Sequence, residues 1–334
     1  MAIIKGLDAI NGLGGGVADQ IAADLVYWLD EWYSQPETWD NELDRTIHEW
    51  YANAPQVWPK RPYFSPSSAT ACPRELYVKA KRAKKDGFRK PPYQGRWTSI
   101  GTAIGDVIQR DILAMERNLP GCPFRFERNP DGTPVFEDFA KRNVKVGDYY
   151  LYGTCDGILE YVTQDGELIR VGLEVKSKQT TSARTSLHSM REPEEKHVKQ
   201  CVAYSKMYEV DHYVILYVNA SKKAWVYAEG DYAKNPDIRA FGVTITEDAR
   251  TELFARLAEI NDAIKSEVPP PLDLENWTFN NFKTACALSV TDEEVDELNR
   301  KVSRMKRSSL PEFKKRQYVE ALEFIEKVRE GEAK

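Results

Sequence analysis

The chain predicts an α/β fold, a central mixed β-sheet flanked by helices with helical extensions at both ends. Three observations lead there. Tyr149 to Val162 and Leu168 to Lys178 are rich in β-branched and aromatic residues and are separated by Gln164-Asp165-Gly166, which reads as a hairpin. Glu195 to Tyr208 follows Pro193 with apolar residues at helical spacing, and Tyr213 to Val218 is then an almost unbroken apolar run of strand length, as expected of a buried strand. Thr246 to Ser266 places Leu253, Leu257, Ile260 and Ile264 on one helical face, with Thr246 as cap and Glu247 and Asp248 in the first turn.

The remaining elements follow in chain order. Gly14-Gly15-Gly16 lacks the Gly-Lys-Ser/Thr that a phosphate loop requires, so it reads as a flexible turn. Leu25, Trp28, Leu29 and Trp32 recur at helix spacing, and Ile47, Trp50 and Tyr51 continue the pattern beyond Pro36. Aromatic residues can stack on single-stranded bases, but at this spacing they more often build a core. A helix begins at Ile100-Gly101-Thr102, and after Pro269-Pro270-Pro271 the segments Thr291 to Val302 and Pro311 to Val328 form a helical tail. The expected organisation is a helical N-terminal extension over 1–62, a core over 63–268 and a helical C-terminal extension over 269–334, without internal repeats.

The turn of the hairpin determines what the hairpin can do. A two-residue Asp-Gly loop would set Asp156 opposite Val175, on the wrong face for Glu174. A three-residue loop with Gly166 in the left-handed bulge position is the next most common choice. It pairs Thr163 with Glu167 and, carried along the ladder, Asp156 with Glu174. Directly opposed residues have Cβ atoms about 4.5–5.5 Å apart, and Lys176 shares their face by the period of two. Two carboxylates offer hard oxygen ligands to a divalent cation. A lysine beside them can orient an attacking water and offset charge in a transition state. In the helix that follows, His197, Gln200 and Tyr204 lie along one face.

These motifs together resemble the PD-(D/E)XK nuclease superfamily in its RecB-like branch, which includes phage recombination exonucleases and CRISPR-adaptation nucleases. The matching residues are Gly153-Thr154-Cys155-Asp156-Gly157, then Glu174-Val175-Lys176, then Gln200 and Tyr204 in the family's Q-x-x-x-Y arrangement. Upstream, Ser65 to Tyr77 is similar to the branch's entry segment through Cys72-Pro73-Arg74 and Tyr77. The resemblance runs from Ser65 to Ala228, about half the chain. It implies a restriction-endonuclease-like core and a site in which Asp156, Glu174 and the Val175 carbonyl hold Mg²⁺ or Mn²⁺. Lys176 would position the water, with Gln200 and Tyr204 orienting Lys176 or the scissile phosphate.

Two departures from the family pattern matter. The helix before the first strand usually brings a His or Glu to the metal, and the corresponding residue here is Gly105. Asp106 or Gln109 could reach the site instead, and Asp106 is preferred because a carboxylate binds Mg²⁺ directly. Several relatives also hold an iron–sulfur cluster with a cysteine of the entry segment and three near the C-terminus. Here Cys72 has only Cys286 beyond the proline break, and Cys122, Cys155 and Cys201 are scattered, so no cluster is expected. Cys72, Cys155 and Cys201 are read as small buried apolar residues.

The net charge of −5 and pI of about 5.7 do not describe a general DNA coater. Basic residues are nevertheless concentrated from Lys79 to Lys90, and Arg74, Lys79, Lys81, Arg82, Lys84 and Lys85 are expected to contact DNA phosphates. A second cluster, Arg300 to Arg316, reads as a solvated face. Met1-Ala2-Ile3-Ile4-Lys5 is too short for a signal peptide, no apolar run has membrane-spanning length, and five dispersed cysteines fit a reducing cytoplasm. The resulting expectation is a metal-dependent deoxyribonuclease, first of all an exonuclease of phage-type recombination or DNA processing. Its partners would be DNA and a single-strand-binding or annealing protein, with no membrane. The alternatives are a structure-selective or restriction-type endonuclease, or an inactive nuclease-like DNA-binding or interaction module.

Overall fold

The computed structural model describes residues 16–87, 91–221, 224–228 and 230–331. Met1 to Lys5, Gly14 and Gly15 of the glycine turn, and Arg89 and Lys90 of the basic run lie outside the described residues.

The fold is α/β, with two sheets flanked by helices. The larger sheet has five strands in the order β2 (Phe124–Phe126), β5 (Gly157–Val162), β6 (Leu168–Lys178), β7 (His212–Asn219) and β8 (Ile238–Thr244). β6 is central. It pairs antiparallel with β5 and parallel with β7, so the sheet is mixed. Parallel neighbours need a crossover, and α6 (Glu195–Tyr208) supplies it. The smaller sheet joins β1 (Tyr63–Phe64), β4 (Tyr149–Gly153) and β3 (Arg142–Val146) in the order β1-β4-β3.

The run from Tyr149 to Val162, expected as one strand, is divided between the two sheets. β4 ends at Gly153 and β5 begins at Gly157. The three residues between them have other backbone partners: Thr154 Oγ1 donates to the Glu137 carbonyl, and Glu137 N–H donates to the Cys155 carbonyl at 3.0 Å. The division leaves Asp156 at the mouth of the larger sheet rather than inside a ladder.

Alternation along the strands gives the larger sheet two apolar faces. Val171, Leu173, Val214 and Leu216 pack with α1 (Val17–Tyr33), α2 (Asn41–Ala52) and the second half of α4 (Pro92–Asn118). Tyr213, Ile215 and Tyr217 pack with α6 and with α8 (Glu247–Ser266). The sequence signals for α8 hold in detail, since the Thr246 side chain accepts from Ala249 N–H at 3.2 Å. In α1, Ile21, Ala22, Leu25 and Leu29 are fully buried, so its apolar stripe is core.

A third apolar cluster joins α3 (Pro73–Ala80) to the C-terminal helices α9 (Lys283–Leu288), α10 (Asp292–Lys306) and α11 (Glu312–Arg329). Thr291 and Glu294 form a reciprocal capping box at the start of α10. Between the main elements run the short helices α5 (Glu137–Ala140) and α7 (Asp231–Lys234). Among the described residues no helix is long and apolar enough to cross a membrane.

The contact between α1 and β8 depends on Gly242. A Cβ built there would lie 2.0 Å from the Ala18 carbonyl carbon and 2.3 Å from Asp19 N, both backbone atoms that cannot rotate away. Gly242→Ala should therefore destabilise the protein by about 3 kcal/mol, the upper range of overpacking. Urea denaturation of wild type and variant measures this, and a wild-type midpoint would show that α1 does not rest on β8.

Candidate active site

The β5–β6 turn is the three-residue loop. Thr163 N–H donates to the Glu167 carbonyl at 2.8 Å, Gly166 N–H donates to the Thr163 carbonyl at 3.0 Å, and Gly166 has φ +82°. Only glycine adopts that conformation without strain. The ladder runs from Val162↔Leu168 to Gly157↔Leu173, so the next pair in register is Asp156 and Glu174. There the backbone ladder stops, and Asp156 Oδ2 accepts the Val175 N–H at 2.7 Å in its place.

Glu174 and Lys176 project from β6 toward α6, on the face that also carries Tyr213 and Tyr217. Lys176 Nζ donates to Glu174 Oε1 and, at 3.2 Å, to Gln200 Oε1. Gln200 Nε2 donates to Tyr204 Oη at 3.0 Å, and the Tyr204 hydroxyl donates to the Thr154 carbonyl at 2.5 Å. Residues from three elements thus form one chain of hydrogen bonds, from the lysine through two side chains of α6 to the backbone two residues before Asp156. His197 is excluded from this chain: its Nδ1 lies 2.8 Å from Tyr217 Oη on the neighbouring strand. Burial, reinforced by Lys176, pushes its pKa down to about 3, so the ring is neutral.

Charge is crowded here. Glu174 is 1 % exposed, and burial together with repulsion from Asp156 pushes its carboxyl up to about 8. Burial also raises Asp156, against the pull of Lys176 and of the Val175 N–H. Burial acts to lower Lys176, but attraction to Glu174 and Asp156 outweighs it and the ammonium is held above its usual range.

The expected helix contribution differs from the sequence reading. Among the described residues no group of three His, Cys, Asp or Glu side chains is placed to hold a metal ion, and Asp106 has Glu137 as its hydrogen-bonding neighbour. It is exposed on α4. Gln109, one turn further along, is the residue that reaches the site, donating from Nε2 to the Asp156 carbonyl at 2.8 Å. A Cβ added at Gly105 would meet nothing within 4 Å, so the space beside it is open.

Sequence reasoning missed Glu137. It lies at the start of α5 with φ +41°, accepts from Tyr51 Oη at 2.9 Å, and feels the charges of Asp106 and Asp156. No periodicity marks it, because a four-residue helix is too short to show one.

The phosphate contacts expected around α3 need correction. Arg74 is 1 % exposed and donates to Pro270 O (2.5 Å), Ser289 O (2.6 Å), Ser289 Oγ (3.0 Å) and Glu294 Oε1 (2.5 Å). It ties α3 to the C-terminal region and cannot touch DNA. Lys81 is paired with Glu267 at 2.5 Å, and Lys79 is half-buried with its Nζ 5.7 Å from the centre of the Tyr63 ring. Arg82, Lys84 and Lys85 are exposed. Cys72, Cys155, Cys201 and Cys286 are buried, and Cys72 Sγ accepts from Asp273 N–H at 3.2 Å.

No family model and no curated protein matches the chain. Among solved structures it is similar to SSO0001 at 14 % identity, with TM-score 0.38 over 80 % of this chain and 97 % of that one. It is similar to an alkaline exonuclease (LHK-Exo) from Laribacter hongkongensis at 11 % identity, with TM-score 0.37 over 66 % of this chain and 95 % of that one. For the same exonuclease in complex with dAMP the values are 10 %, 0.39, 66 % and 94 %.

The elevated Glu174 carboxyl has a measurable consequence for the protein without metal. Between its ordinary value of 4.5 and its folded value of about 8, the native state holds a proton that the unfolded chain has released. Stability is therefore greatest below the lower value and declines as pH rises to the upper one. Glu174→Gln should remove that decline, a difference on the order of a few kcal/mol between pH 5 and pH 9. Urea titrations in chelator across this range test it. Parallel pH profiles for the two proteins would mean Glu174 is not held neutral.

Proposed function

We propose that this protein is a metal-dependent nuclease that hydrolyses DNA phosphodiester bonds, acting as an exonuclease in phage-type recombination or DNA processing. The observation that carries the reading is Asp156 opposite Glu174, with Lys176 on the same face and held between Glu174 and Gln200. An ordinary surface pair would be solvated, whereas here the acid is buried, the lysine is half-buried against it, and two hydrogen bonds fix the lysine's geometry.

The residues present fit Mg²⁺ or Mn²⁺. Glu174 Oε2 is buried without a hydrogen-bond partner, an oxygen with lone pairs to give. Burial raises the carboxyls of Asp106, Glu137, Asp156 and Glu174 above their ordinary range, and repulsion adds to it at Glu137, from Asp106 and Asp156, and at Glu174, from Asp156. Mg²⁺ keeps several waters and takes one or two carboxylates, so Asp156, Glu174 and the Val175 carbonyl are a sufficient set. When bound, the ion would polarise the scissile phosphate and acidify a water. The protein's own part is to hold the Lys176 ammonium where it can position the nucleophile and balance the charge that develops on phosphorus. Gln200 and Tyr204 keep that ammonium from folding back on its flexible stem.

Asp156→Ala and Glu174→Ala should each abolish cleavage of end-labelled DNA in Mg²⁺ or Mn²⁺ while the proteins stay folded by circular dichroism. Substantial activity in either variant defeats the assignment. Lys176→Ala should reduce kcat by about 10²–10³, the cost of losing one transition-state contact, with DNA binding nearly unchanged. A comparable fall in binding would make Lys176 an ordinary phosphate contact. Linear, circular and single-stranded substrates run side by side separate exonuclease from endonuclease action.

The exposed cations after α3 supply a second test. Charge reversal at Arg82, Lys84 and Lys85 should flatten the salt dependence of binding by about 0.9 in log–log slope for each lost contact. Reversal at Lys314 and Arg316 should change it less. An unchanged slope in the first variant would put DNA on another surface.

A further inference from the structure

A cavity of about 330 Å³ lies between β1, α3 and the end of α8, and none of Asp156, Glu174, Lys176, Gln200 and Tyr204 lines it. It opens beside Asp148, just before β4, whereas Asp156 follows the other end of that strand. The five residues of β4 amount to about 17 Å of extended chain.

The lining is cationic. Arg61, Lys79, Arg82 and Lys265 contribute to it, against the single acid Asp148. Lys265 is paired with Asp148 at 2.6 Å, while Arg61, Lys79 and Arg82 have no ion pair among the described residues. Arg61 and Lys79 both lie against the Tyr63 ring, 5.4 and 5.7 Å from its centre, which holds two like charges at one wall. Burial, followed by repulsion from Arg61 and Lys85, lowers the Lys79 ammonium, although Glu75 opposes the shift.

Asn261 closes the cavity from α8. Its side chain is 2 % exposed, and Oδ1 has no hydrogen-bond partner among the described residues. A buried unpaired amide oxygen costs roughly 1–3 kcal/mol. An anion alone would satisfy the three cations and leave this oxygen unpaired. A ligand that satisfies both carries phosphate oxygens at one end and an N–H or O–H donor at the other.

We propose that this cavity is a binding site for a small phosphate monoester bearing a hydrogen-bond donor, specifically a nucleoside monophosphate. Arg61, Lys79 and Arg82 take the phosphate, and Asn261 Oδ1 accepts from the base amino group or a sugar hydroxyl. The volume suits a ligand of that size, near the lower end of small-molecule sites. The assignment does not depend on the nuclease reading, because binding is measured without turnover.

The test is calorimetric titration of the full chain in chelator with dAMP, inorganic phosphate and deoxyadenosine. Saturable dAMP binding is expected, with phosphate and deoxyadenosine each at least tenfold weaker. Arg61→Ala and Arg82→Ala, both at exposed positions, should each weaken dAMP at least tenfold. Asn261→Ala should weaken dAMP but not phosphate. Glu174→Gln should bind dAMP as wild type does. Equal affinity for phosphate and dAMP would overturn the proposal, as would insensitivity to both arginine variants. Loss of binding in Glu174→Gln would overturn it by placing the nucleotide in the cleavage site. Tighter binding of a 5′-phosphorylated oligonucleotide that Arg61→Ala abolishes would overturn it too, because the phosphate in this cavity would then belong to a strand.

Discussion

Side chains alternate across a strand, so a slip of one residue between β5 and β6 would send Asp156 to the opposite face from Glu174. The turn prevents that slip. Gly166 in the left-handed region closes a loop of three residues, and the register it sets persists down the ladder to the mouth of the sheet. Everything distinctive about the site follows from this pairing: two carboxylates on one face, the lysine two residues on, and α6 laid over them as the crossover to β7. The division of the expected strand at Thr154 to Asp156 is part of the same arrangement. Had β4 and β5 been continuous, a backbone group would occupy the place where Asp156 Oδ2 now accepts the Val175 N–H.

Burying Glu174 beside Lys176 is an expensive way to build a fold, because desolvating two ions offsets much of their attraction. An apolar pair of similar volume would serve stability as well. The pair is further encumbered by Asp156, whose charge raises Glu174, and by an oxygen of Glu174 left without a partner. Local cost concentrated on named residues at a strand end supports the proposed catalytic role of these residues. Arg74 is the contrasting case. It is equally buried, but four acceptors surround it and it serves to join α3 to the C-terminal helices.

The sequence disclosed those parts that depend on local rules. The hairpin register, the amphipathic face of α8 with its Thr246 cap, and the core character of Leu25 and Leu29 all came from spacing, turn chemistry and capping. What it did not disclose depends on distant partners. Nothing near Arg74 in sequence announces that Pro270, Ser289 and Glu294 will enclose it, and nothing near Lys81 announces Glu267. A run of basic residues looks alike whether it meets DNA or the protein's own acids. Glu137 was invisible for a related reason, since its place beside Asp106 and Asp156 comes from an irregular segment rather than from a periodic element. Between Asp106 and Gln109 the choice was also beyond local rules. Both lie on α4 within one turn, and only the packing of that helix on the sheet shows that the amide, not the acid, meets the Asp156 backbone.

The distribution of charge shows how a net charge of −5 would be compatible with the polyanionic substrate of the proposed function. Acids crowd the mouth of the larger sheet, where Asp106, Glu137, Asp156 and Glu174 raise one another's pKa or are raised by burial. That field repels phosphate unless a cation offsets it, so affinity must come from basic residues elsewhere on the surface. On the proposed nuclease function, such a division would separate holding DNA from cutting it. The exposed Arg82, Lys84 and Lys85 would then contribute to the first, and Lys176, held between Glu174 and Gln200, to the second.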